Sequence, residues 1–162
     1  MVPTLIQTCS YKPVPDSDTD VWLTIDADRG VVPFPEYALV YEDDDIWMGI
    51  KPHFPSDGVS VPRIVYTVTG LTPFDKRTVY GGFLHDGGYQ SHLLSQARCD
   101  IILDNVWQIK PRVNWVQRNT AYYTLRAVGH HAYNGKTQKQ IDFARQFVTV
   151  VHKGKLLKTV IK

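Results

Sequence analysis

Apolar residues alternate with polar ones in segments up to residue 50, recur at spacings of three and four between residues 75 and 131, and alternate again after residue 146. The two periods demand different backbones. Alternation puts successive side chains on opposite faces of a strand, whereas the three-and-four spacing gathers them along one stripe of a helix. VWLTIDA (21–27), YALVY (37–41) and IWMGI (46–50) read as strands, the last two joined by a hairpin turn at EDDD (42–45). Segments 75–90, 95–109 and 114–131 read as helices, with Ser95 and Asn114 placed as N-caps. The tail QFVTVVHKGKLLKTVIK alternates around HKGK and suits a hairpin or an extended arm that pairs with another chain. The expected class is α+β: N-terminal antiparallel strands with a hairpin, a helical centre of three to four helices, and a C-terminal β hairpin or arm. Residues 1–20, with three prolines and the acidic run DSDTD, read as an arm, 21–135 as a single domain, and 136–162 as a helix and strand extension.

Composition narrows the function classes. A chain of 162 residues, 43% hydrophobic, supports one core. Eighteen basic against 16 acidic residues leave a net charge of +2, which gives no footprint for a nucleic-acid partner. Cys9 and Cys99 lack C-x-x-C spacing, so they read as idle or buried thiols, not as a disulfide framework or a thiolate zinc site. No apolar run reaches the roughly 20 residues of a membrane span, and no basic start precedes an apolar core, so a soluble protein without a signal peptide is expected. EDDD at a hairpin tip reads as a solvated turn before a cation site.

The stretch GGFLHDGGYQ (81–90) sets His85 and Asp86 between two glycine pairs. On a helix, Gly81 lies one turn below His85, Gly82 one turn below Asp86, and Tyr89 one turn above His85 on the same side. Consecutive helical glycines, each about 1 kcal/mol worse than alanine, imply that something approaches the backbone closely. A second helix fits, as does a ligand. Asp86 shares the stripe of Val79 and Phe83 and points inward. In the next helix Arg98 and Asp100 are about 200° apart and must serve different spots. Asp100 borders the core stripe of Cys99, Ile102, Leu103 and Val106, from which it can reach His85 and orient it as a general base. A hydrogen bond that merely fixes helix register fits the same residues.

In SDGVSVPR (56–63), Asp57-Gly58 makes a turn, and Ser60 with Pro62 marks a helix entry, so capping accounts for Ser60 without catalysis. Asp57 could join Asp86 as a ligand to a hard cation, and Arg63 could bind an anionic group of a substrate. His130-His131 adjoins a helix end and His53, His92 and His152 lack metal-ligand spacing, so most of these histidines read as surface residues, and Trp107, Trp115, Tyr122 and Tyr123 as core packing between helices.

These three sites in order, S-D-G-V-S-V-P-R, F-L-H-D-G-G-Y and S-Q-A-R-C-D, closely resemble domain-of-unknown-function family thirteen fifty-three, encoded by tailed phages and prophages. Its pattern is T-D-G/L-A-S-x-P-R, then H-D-x-x-Y, then R-x-x-D. The likeness spans roughly residues 37–133, with Asp57, Ser60, Pro62, Arg63, His85, Asp86 and Tyr89 at matching positions. Val59 replaces the usual Ala, and R-C-D has one intervening residue in place of two. The family name brings no established activity. The resemblance implies synthesis in the host cytoplasm and a place in the virion or among tail-assembly proteins, within an oligomeric assembly with other phage structural proteins. H-D-x-x-Y followed by a helical Asp is also similar to the catalytic helices of phospholipases A2. That likeness implies His85 as base, Asp86 as calcium ligand and Asp100 as the residue orienting His85, with Tyr89 beside them. The glycine-rich calcium loop and disulfides of the secreted enzymes are missing.

Two functions therefore stand as expectations. One is a phage virion or morphogenetic protein whose motif residues form a polar network that fixes helix packing. The other is a hydrolase of a cell-envelope lipid or peptidoglycan, with His85, Asp100 and Tyr89 as the catalytic group, Ser60 and Arg63 on the substrate, and Asp86 with Asp57 on calcium or zinc.

Overall fold

The computed structural model describes residues 1–25, 36–58, 67, 70–109 and 113–158. The expected helix entry at Ser60 and Pro62, and the placement of Arg63, lie outside the described residues. Strands β1 (Thr4–Gln7), β4 (Leu39–Glu42), β5 (Ile46–Ile50), β7 (Val148–His152) and β8 (Lys155–Leu156) form one sheet in the order β1-β4-β5-β7-β8. Strands β2 (Cys9–Pro13), β3 (Val21–Ile25) and β6 (Pro55–Ser56) form a second, in the order β2-β3-β6. All pairings among the described strands are antiparallel. Helices α1 (Val79–Ser91), α2 (Gln96–Ile109), α3 (Trp115–Asn134) and α4 (Gln138–Ala144) separate β6 from β7, so the chain is α+β.

Residues 1–20, expected as an arm, instead supply a strand to each sheet. Thr8 makes the crossing, its amide donating to the carbonyl of Ala38, and Cys9 is buried beyond it. The prolines sit where strands tolerate them: Pro3 before β1, Pro13 at the end of β2, Pro15 in the following turn. DSDTD forms that turn, with Ser17 Oγ accepting from the amides of Thr19 and Asp20. The C-terminal residues likewise belong to the body of the fold. β7 lies inside the sheet between β5 and β8, and α4 packs on α1. The hairpin turn at Lys153-Gly154 holds both residues at positive φ, 47° and 75°, as a two-residue turn matched to strand twist requires.

α1 runs through the centre, with eleven of its thirteen residues buried. Its glycines face other parts of the protein. A Cβ on Gly81 would stand 2.6 Å from Trp107 Nε1 of α2, one on Gly88 2.5 Å from Cys99 Sγ, and one on Gly87 3.0 Å from Ile50 Cδ1 of the sheet. Trp107 Nε1 also donates to the carbonyl of Thr78, so the close approach over Gly81 satisfies a buried indole.

The hairpin reading of EDDD is seen in β4 and β5. Asp43 accepts from the amides of Asp45 and Ile46 and from Arg98 Nη2 at 2.9–3.0 Å, so Arg98 braces this turn. Asn114 caps α3 with a capping box through Gln117. The aromatics of α3 depart from expectation. Trp107 is buried, but Trp115 and Tyr123 are 68% and 67% exposed, with Val116 beside them. They share a solvent-exposed face of α3.

Candidate functional site

α1 and α2 carry the site on facing turns. His85 is 7% exposed, and its Nε2 lies 2.9 Å from Oδ1 of Asp100, which is wholly buried. Tyr89 donates its hydroxyl to the same oxygen at 2.8 Å, and its ring lies against the imidazole with centroids 4.0 Å apart. The second oxygen of Asp100 accepts from Arg126 Nη1 of α3 at 3.3 Å. Three donors thus converge on one carboxylate in the interior, where a charge with fewer partners would be costly. Asp100 accepts from Nε2, so the neutral imidazole carries its proton there and leaves Nδ1 as the basic nitrogen.

Nδ1 faces the second carboxylate of the site. Asp86 Oδ1 lies 4.0 Å away, too far for a direct hydrogen bond and close enough for one bridging water. Asp86 Oδ2 accepts from Ser56 Oγ of β6, which itself accepts from the Gly58 amide. The expected Asp57-Gly58 turn is present, with Gly58 at φ 81°. A cavity of about 340 Å³ lies between α1 and α3 beside these groups. His85, Asp86, Tyr89 and Asp57 form its polar side, and Leu125, Val128, Gly129 and Ala132 of α3 its largely apolar wall. Gly129 makes room for Tyr89, since a Cβ there would meet its hydroxyl at 2.5 Å.

Burial lowers the His85 pKa, but the carboxylates of Asp100 and Asp86 more than offset this and hold it above the ordinary value. A raised folded-state value makes the stabilising contribution of His85 full below about pH 6.5, the unfolded value, and lost as pH rises through the folded value. The Tyr89 hydroxyl is pushed well up by burial and by Asp100, which keeps it a donor.

Among the sequence candidates, the structure brings together His85, Tyr89 and Asp100, with Asp86 and Asp57 on the same cavity. Among the described residues no group of three or more His, Cys, Asp or Glu is placed to hold a metal ion. The oxygens of Asp86 are turned toward Ser56 and His85. The described donor set therefore does not fit the expected calcium or zinc. Arg126 and Ser56 are contributed from outside the motif helices. The only hint of Arg126 in the sequence is the need of a buried Asp100 for a cation, and Ser56 is hidden as the first residue of a turn segment.

Arg126 places a second positive charge on the carboxylate that attracts the protonated imidazole, and so opposes protonation of His85. Arg126→Met is expected to move the His85 midpoint upward in an NMR titration, and Arg126→Lys to restore part of the difference. An unmoved midpoint in Arg126→Met would show that Arg126 acts only on packing.

The chain matches no family model, no curated protein and no solved structure.

Proposed function

We propose that the chain is a hydrolase of an ester or amide bond, in which His85 takes the proton from an attacking water. The observation that supports this most is the imidazole itself: anchored through Nε2 on a fully buried Asp100, it lines a cavity with its other nitrogen toward Asp86. Water held between Nδ1 and Asp86 Oδ1 loses a proton to Nδ1 as its oxygen attacks the carbonyl carbon. The imidazolium then returns the proton to the leaving oxygen or nitrogen. Asp100 steadies the charge that forms on the ring, and Ser56 keeps Asp86 turned toward the water. The apolar wall of α3 suits an aliphatic portion beside the bond that breaks. A bacterial envelope component, lipid or peptidoglycan, is the substrate that accords with the phage likeness of the motifs.

The test is to incubate the purified protein with isolated bacterial envelopes and follow the released products by mass spectrometry across pH. Product release should rise with pH through a midpoint above about 6.5, because only the unprotonated base is active and its value is raised. A well-folded protein that releases neither lipid nor muropeptide at any pH would sink this reading.

A second reading has its own support. Trp115, Val116 and Tyr123 form an exposed apolar face on α3, as surfaces that meet a partner do. On that reading the chain is a virion-associated or morphogenetic protein of a tailed phage, in the tail or head-tail region, and the His85 network fixes helix packing.

A further inference from the structure

A second cavity, of about 190 Å³, continues from the first, since Asp57, Gln90 and Lys136 line both. Asp20 from the turn before β3, Ser56 of β6 and Gln140 of α4 complete its polar walls. It is smaller than the roughly 300–1,000 Å³ of sites that enclose a whole drug-sized ligand, so it suits one end of a molecule whose remainder lies beside His85. Its chemistry differs from that of the first cavity, which has the apolar wall of α3. Lys136 brings a positive charge to it and Asp20 and Asp57 bring negative ones, and neither Lys136 nor Asp20 belongs to an ion pair among the described residues. Charges of opposite sign that face one space without neutralising each other are complementary to a ligand carrying both. The side-chain amides of Gln90 and Gln140 add donors and acceptors between them.

We propose that this cavity is a subsite for the zwitterionic end of the ligand, with Asp20 on an ammonium group and Lys136 on an anionic group. A short unblocked peptide carries that pair of charges on its two termini, and the phosphoethanolamine head of a lipid carries it within one group. The proposal rests on the hydrolase reading for the place of the scissile bond, but binding in the subsite does not require turnover.

The full-length protein would be titrated by NMR with alanylalanine, with its N-acetylated form, with its C-terminal amide, and with O-phosphoethanolamine. Free alanylalanine or O-phosphoethanolamine should shift the Gln90 and Gln140 side-chain amide signals, and the tighter of the two identifies the source of the zwitterion. Blocking either charge of the dipeptide should weaken its binding at least tenfold. Where O-phosphoethanolamine is the tighter ligand, replacing it with ethanolamine or with inorganic phosphate should have the same effect. Lys136→Met and Asp20→Asn, checked for an unchanged fold by the rest of their spectra, should each weaken the zwitterion by a similar factor. Equal binding of blocked and free forms, or no shift with either zwitterion, would overturn the subsite. Binding as described in a protein that hydrolyses nothing would remove the enzyme reading and leave the subsite standing.

Discussion

Asp100→Ala is expected to lower the free energy of unfolding by about 3–5 kcal/mol, the range for breaking a buried charge pair from one side. The carboxylate is wholly buried and accepts from His85, Tyr89 and Arg126. Removing it leaves the Tyr89 hydroxyl and the imidazole N–H without their acceptor, and the guanidinium at the edge of the interior without its counter-charge. Asp100→Asn should cost less, because the amide oxygen still accepts from His85 and Tyr89 while the charge is lost. Urea denaturation of the three proteins measures both steps. If alanine cost no more than asparagine, the convergence of donors on Asp100 would contribute little to stability.

His85→Ala separates the two functional readings. As a general base, His85 accounts for about 10²–10⁴ in rate, so product release should fall by that factor. The change also takes one donor of three from Asp100 and should destabilise by about 1–3 kcal/mol. His85→Gln isolates the chemistry, since its amide N–H can still reach Asp100 but its side chain cannot serve as a base. In a hydrolase both variants lose activity, and glutamine recovers most of the stability. In an assembly protein there is no activity to lose, and the melting curves carry the whole effect. A His85→Gln protein that still released products at the wild-type rate would exclude His85 as the base.

The core of the site could be read from the sequence because helical geometry fixes it. The four-residue step puts His85 and Tyr89 on one side of α1, and the place of Asp100 at the edge of the α2 stripe made it a candidate partner, which the packing of α2 on α1 brings to both. Arg126 was not legible, since its contact depends on how α3 crosses α2, which no local spacing encodes. The misreading of residues 1–20 has a similar origin. β1 and β2 are only four and five residues long, and they alternate too briefly to stand out among three prolines, although those prolines fall at strand ends. Trp115 and Tyr123 were expected in the core because aromatics so often are, and only the position of α3 on the outside of the fold shows that they face outward.

The glycines of α1 tie the chemistry of the site to the packing around it. Gly81, Gly82, Gly87 and Gly88 each cost about 1 kcal/mol in helical propensity relative to alanine, so the segment 79–91 is a poor helix on its own. In the folded protein the close packing of Trp107, Cys99 and the sheet residue Ile50 on these glycines supplies the stabilisation that propensity does not. His85 and Asp86 thus depend on tertiary packing for their spacing. Substitutions that loosen the packing of Trp107, Cys99 or Ile50 on this helix are therefore expected to disturb the site geometry along with stability.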